Sequence, residues 1–423
     1  MEIEKYSIGI GDRFSMEGAA QLRALQKAET QGVLIVPVWN KSNREHSIIG
    51  TSPVDTRREA DEAVALCGWK HSYYVDADHI GLGTVGRFLD SSNFFTIDVA
   101  DSIGKPSAPE RVASFLKSAS RFKGALRVPG VQKSVDVTDG LLSEIARKYL
   151  RAVEEAGAVY RHIAGHKGLE TFVTEVSADE AELPQSPAEL FFILAALAWE
   201  KVPVQTIAPK FTGAFLKGID YVGEVRQFAR EFEDDLAIIA HAVKAFGLPQ
   251  QLKLSIHSGS DKFSIYPSIH NALARTGAGL HIKTAGTTWL EEVIGLAEAD
   301  GDGLAMAKEI YAASFKRYDE LSGPYRAVIN IDRRGLPDPQ QVSRWSSSEF
   351  AETLRHDPSN SRFSRDFRQL VHIGYKVAAE LDGEFTDLVR RCRPSIEANV
   401  TTNIFSRHIQ PLFLGPRGAG NRP

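Results

Sequence analysis

The chain has 423 residues, 43% of them hydrophobic and 25% charged, with a formal net charge of −4. This is the composition of a globular protein, and it carries no basic footprint of the kind that a nucleic-acid partner requires. Its two cysteines, Cys67 and Cys392, stand far apart and outside C-x-x-C spacing, which argues against a disulfide framework and against a thiolate zinc site. The N-terminus, Met1-Glu2-Ile3-Glu4-Lys5, has no apolar stretch of signal-peptide type, and no apolar run approaches the roughly 18 residues of a membrane span. A cytoplasmic protein without a membrane partner is expected.

Taken in order, residues 3–14 carry Gly9 and Gly11, half of a dinucleotide fingerprint with no third glycine in place. A short lid across the barrel floor, or a turn that binds phosphate or carboxylate through Arg13, is the expectation. An amphipathic helix follows over 16–31. From there apolar strands alternate with helices. Strands are predicted at 32–38, 72–75, 94–97, 172–176, 204–207, 253–257, 279–283 and 325–331. Helices are predicted at 56–67, 84–89, 108–121, 139–158, 187–200, 220–245, 266–276 and 288–313. The strands read as continuous Val/Ile/Leu runs, as a parallel sheet buried on both faces requires. Eight such βα units predict a (β/α)8 TIM-type barrel over 1–335, with an inserted helical segment after the third strand. Extra C-terminal helices over 336–413 are expected to pack on the barrel or against a second subunit in a homo-oligomer. A tail over 414–423 is expected to be disordered.

A barrel of this kind gathers the carboxyl ends of its strands at one rim, where chemistry is placed. The segment Lys253-Leu-Ser-Ile-His-Ser-Gly-Ser-Asp-Lys-Phe-Ser264 shows the pattern, a strand that ends on His257 and passes through Gly259, Asp261 and Lys262 into a helix. Other predicted strands end similarly. Asp76, Asp78 and His79 follow 72–75, and Asp98 and Asp101 follow 94–97. Glu175 lies on 172–176, Lys210 follows 204–207, and His281 and Lys283 lie on 279–283. Three histidines on strands that face one another predict a divalent metal site of His79, His257 and His281, for zinc, manganese, cobalt or nickel, with positions left open for substrate. Asp78 and Glu175 are the carboxylates predicted to work as general base and general acid. Arg13, Lys210, Lys262 and Lys283 are cations suited to an acidic group on the substrate. Asp98 is open between metal ligand and loop cap. Asp101 reads as a loop cap, and His270 and His372 as structural.

The segments Ser7-Ile-Gly-Ile-Gly-Asp-Arg-Phe14, Asp76-Ala-Asp-His-Ile80, Thr174-Glu-Val-Ser177, His257-Ser-Gly-Ser-Asp-Lys-Phe263 and His281-Ile-Lys-Thr284 together resemble those of the tagaturonate epimerase family. The resemblance implies a metal-dependent epimerase that interconverts D-tagaturonate and D-fructuronate in hexuronate catabolism. It is similar also to enzymes of the uncharged ketoses tagatose and fructose. The two ketouronates differ at a carbon not adjacent to the ketone, so enolisation cannot invert it. Transient oxidation would need a nicotinamide, for which no dinucleotide site is found, and retro-aldol cleavage followed by aldol addition is favoured. The expected roles are a metal on His79, His257 and His281, Asp78 as proton acceptor and Glu175 as proton donor. Arg13, Lys210, Asp261 and Lys283 are expected to bind the substrate. A class II-type aldolase or isomerase on a related sugar acid is the alternative enzyme, and a sugar-acid-binding barrel the non-enzymatic one.

Overall fold

A computed structural model describes residues 1–381 and 383–415. Eight strands form a closed barrel: β1 Tyr6–Ile10, β2 Val36–Ser42, β3 Tyr74–Ile80, β4 Phe94–Asp98, β5 Val173–Ser177, β6 Thr206–Ala208, β7 Lys253–His257 and β8 Leu280–Lys283. Each strand pairs in parallel with its neighbours in sequence, and β8 closes on β1. The (β/α)8 expectation therefore holds, although one of its strands does not. Residues 325–331 form a 3-10 turn and a loop, whose Val328, Ile329 and Ile331 pack half-buried against the core. The eighth barrel strand is instead 6–10, not a lid. Its inward residues are Ser7 and Gly9, while Ile8 and Ile10 lie in the core between barrel and helices, so its apolar signal is only half that of a strand buried by large side chains on both faces. Gly9 is needed there. A Cβ at this position would lie 3.0 Å from both Cα and Cγ of Lys283, its partner on β8.

The outer helices follow the expected pattern with shifted ends. Helix Pro187–Trp199 opens on a capping box between Ser186 and Glu189, with proline in its first turn. The single helix expected over 288–313 is two, Gly286–Glu298 and Gly301–Lys316, broken where Asp300 and Gly301 take positive φ. The insertion after β4 consists of helix Pro109–Ala119, a small antiparallel ribbon of 124–126 with 135–137, and the long helix Asp139–Lys167.

Beyond residue 336 the chain returns as short helices onto helix Gly286–Glu298. There the Trp289 indole donates to the Val371 carbonyl at 2.8 Å. The tail expected to be disordered lies, from residue 416 on, outside the described residues. Among the described residues no helix is long and apolar enough to cross a membrane.

Candidate active site

The third strand does not end regularly. Its pairing with β4 slips between Ala77 and Ile80, and His79, inside the irregularity, has φ of +50°. A side chain other than glycine is held in that left-handed region at a cost of about 1 kcal/mol or more. Bulges of this kind re-aim side chains at barrel rims. The His79 ring is turned so that Nδ1 bonds Asp98 at 3.0 Å, and the ring meets that of His257 nearly perpendicularly, 5.1 Å between centroids.

His257 is the last residue of β7. Its Nε2 is bonded to Glu175 at 2.8 Å. Its buried Nδ1 lies 3.1 Å from Asp179. Asp179 stands two residues past β5, held by the hydroxyl of Ser177. One ligand atom each from His79, Asp179 and His257 can be chosen so that all lie within 4.8 Å of one another. In both histidines one nitrogen is occupied by a carboxylate, Asp98 or Glu175. Such a bond fixes the ring and leaves the other nitrogen as donor to a metal. Two imidazole nitrogens and one carboxylate oxygen form a donor set suited to a divalent cation.

The field around this trio is negative. Burial would lower the pKa of His79, but Asp78, the bond to Asp98 and Asp179 outweigh it and lift it to about 10. Burial likewise opposes the charged form of His257, and Asp179 and Glu175 raise it to about 9. The Asp179 carboxyl is pushed by both imidazoles far below the carboxylate range, against its burial.

Beneath the trio lies a layer of buried charge. The Lys283 ammonium is 2.8 Å from Asp76, 2.9 Å from Asp78 and 3.0 Å from Glu175, and it also donates to Thr96. Burial disfavours its charge, and the three carboxylates more than restore it. Burial, partly offset by Lys283, raises Asp76 to about 7. Asp78 goes the other way: Lys283 and His79 overcome its burial and bring it to about 2. Glu175, fully buried, is held well below its ordinary value by Lys283 and His257.

The predicted residues thus separate. His79, His257, Asp78, Lys283, Arg13 and Lys210 line one cavity of 540 Å³ at the carboxyl ends of the strands. His281 does not join the other two histidines. It sits one layer lower, beside Ser255 on β7, with Nδ1 bonded to Ser7 at 2.9 Å and its ring against Phe94. Burial pushes its pKa down to about 3. Asp179 stands in its place, and the signal that would have found it was present, an acidic residue just past a strand end.

Glu175 also lies below the cavity, a carboxylate that accepts bonds from His257, Thr96 and Thr206. Asp261 is not at the cavity either. It is buried among Arg368, His356, His408 and Thr287, each within 3.0 Å. Lys262 is fully buried and bonded to backbone carbonyls. Arg13 lines the cavity with its charge paired to Glu45 at 2.8 Å and its guanidinium over the Tyr375 ring. Arg44, Glu45 and Lys217, none singled out from the sequence, line the cavity as well.

A model of the tagaturonate epimerase family matches residues 1–386. The chain belongs to the tagaturonate epimerase family. As a member it is an isomerase of carbohydrates. It is 28% identical over 380 residues to the tagaturonate/fructuronate epimerase of Thermotoga maritima, a match that covers 87% of this chain and 72% of that protein. Crystal structures of the fructuronate-tagaturonate epimerase of Cohnella laeviribosi share the fold. The form complexed with one glycerol gives a TM-score of 0.79 and the native form 0.78, each at 24% identity over 97% of this chain and 82% of that one.

Proposed function

We propose that this protein interconverts D-tagaturonate and D-fructuronate, with a divalent metal held by His79, Asp179 and His257. The substrate reading rests on family membership and on the name of the Thermotoga maritima relative. The observation that carries the metal is the gathering of one ligand atom each from His79, Asp179 and His257 within 4.8 Å of one another, with each imidazole held at its other nitrogen by a carboxylate, Asp98 or Glu175. When bound, a divalent ion such as zinc, manganese, cobalt or nickel supplies a Lewis acid for negative charge on substrate oxygens.

The protein's own groups then have definable work. Asp78 faces the cavity as a carboxylate and is the proton acceptor for the carbinol hydroxyl at the inverting carbon. As that proton leaves, the carbinol becomes a carbonyl, the neighbouring C–C bond breaks, and its electron pair moves toward the ketone. Rotation of the freed aldehyde and re-addition to its other face restore the bond with inverted configuration, and the same carboxylate returns the proton. Glu175, low in pKa and below the cavity, is assigned as a positioning residue for His257 in place of the proton donor expected from sequence. Lys283 balances the buried acids around Asp78.

The test strips the protein of metal, reloads it with single divalent ions, and follows D-tagaturonate by NMR. Appearance of D-fructuronate only in reloaded samples is expected. Equal conversion in stripped and reloaded samples would remove the metal, and no conversion with any ion would remove the substrate assignment.

A further inference from the structure

We infer that Lys217, supported by Arg44, reads the carboxylate of the substrate and is what separates a ketouronate from an uncharged ketose. The inference rests on the substrate class proposed above. Lys283 is surrounded by Asp76, Asp78 and Glu175, so a further carboxylate brought there meets three others. Arg13 is paired with Glu45. Among the described residues neither Lys217 nor Arg44 has a carboxylate within ion-pair distance, and both line the cavity. Arg44 lies at the mouth with its guanidinium 5.4 Å above the Tyr325 ring.

The backbone around Lys217 is gripped from all sides, while its side chain makes no hydrogen bond among the described residues. Lys217 N donates to Val328 O at 2.7 Å. Gly218 N donates to Ser260 at 2.9 Å, and Gly218 O accepts from Arg368 at 2.6 Å. Buried Lys262 donates to Leu216 O at 3.1 Å and Ile219 O at 2.8 Å. A rigid backbone with one free charged tip is how a binding group is preorganised. The segment after β7 provides three of these supports, Ser260 and Lys262 directly and Asp261 through Arg368. It also clears the space, because Gly259, at φ +67°, would with a Cβ come within 3.2 Å of the Lys217 ammonium.

Lys210, the other lysine of the lining without an ion-pair partner among the described residues, has its backbone amide held by Gln185 at 2.7 Å. Burial, then Arg13 and Arg44, lower the pKa of Lys217, while Glu45 and Asp78 raise it. The lining of the cavity holds Arg44, Lys217 and the Arg13–Glu45 pair as well as the acids and histidines of β3, β5 and β7. A ketouronate offers both kinds of group, a hydroxyl-ketone portion at one end and a carboxylate at the other.

The test measures apparent dissociation constants of D-tagaturonate and of D-tagatose, by isothermal titration of the metal-loaded full-length protein, together with turnover of each. The wild type is expected to bind the acid at least roughly ten-fold better than the ketose, as one charge-assisted contact provides. Lys217→Met is expected to bring that ratio close to one, Lys217→Arg to keep most of it, and Arg44→Met to reduce it by a smaller factor. Retention of the wild-type ratio in Lys217→Met, or an equal loss of affinity for both sugars, would overturn the inference. So would a wild type without preference. Because binding is read without turnover, a wild type that prefers the acid but does not epimerise it would defeat the proposed function and leave this inference standing.

Discussion

His257 presents its Nδ1 to Asp179 across 3.1 Å, while its Nε2 is engaged by Glu175 at 2.8 Å. Both ring nitrogens thus face carboxylates. His79, Asp179 and His257 offer one ligand atom each, all within 4.8 Å of one another. Asp179→Asn is therefore expected to weaken divalent metal binding by about 10- to 100-fold or more. His281→Gln is expected to leave binding nearly unchanged, because His281 is bonded to Ser7 one layer below. Competition with a chromogenic chelator measures both. A larger loss in His281→Gln than in Asp179→Asn would reinstate the three-histidine site.

Lys283 is the only cation among the described residues in contact with three acids, the buried Asp76 and Glu175 and the half-buried Asp78. Its truncation leaves uncompensated charge in the barrel. Lys283→Met is expected to destabilise the fold by about 3–5 kcal/mol, read from urea denaturation. Adding Glu175→Gln removes one of the stranded charges, so the double variant is expected to be more stable than Lys283→Met alone. If the two variants unfold together, the cage is not what Lys283 supports.

Asp261 is likewise a buried acid held by cations, accepting bonds from Arg368, His356, His408 and Thr287. It joins the segment after β7 to helices more than ninety residues later in the chain. Arg368→Met leaves this carboxylate without its strongest partner and frees Gly218 O. A loss of about 3 kcal/mol or more is expected, with faster proteolysis of the C-terminal helices than of the barrel. Uniform susceptibility along the chain would argue against a local role.

The sequence showed the barrel because β2 to β8 carry apolar residues on both faces or end on recognisable polar turns. It hid β1, because Ser7 and Gly9 point inward to leave room for His281 and Lys283, and small inward residues read as a loop. It overstated 325–331, whose Val and Ile residues pack on the core without pairing with a strand. At the site, strand-end position was enough to bring His79, His257 and Asp78 to the cavity. Depth along the barrel axis was not legible. His281 lies two residues before Lys283 and therefore one layer lower, a distinction that register makes and composition does not. Lys217 was invisible for a different reason, since it stands in an irregular loop and reaches the cavity only because side chains distant in sequence hold that loop.

Glu17 gives a pH prediction away from the metal trio. It is 1% exposed, one of its oxygens has no hydrogen-bond partner, and burial, then Asp12, raises its pKa from 4.5 to about 8. The folded protein keeps this proton up to about pH 8, whereas the unfolded chain releases it near pH 4.5. Between those values the unfolded state binds fewer protons than the folded state, so stability falls as pH rises. The contribution is complete below the unfolded value and is lost by about pH 8. Glu17→Gln replaces the neutral acid with a neutral amide of the same shape and has no proton to lose. It is expected to match the wild type near pH 4.5 and to exceed it by about 4 kcal/mol at pH 8. Urea midpoints at several pH values measure the difference. A gap between variant and wild type that does not widen with pH would mean that Glu17 is already ionised in the fold, with a partner at its free oxygen.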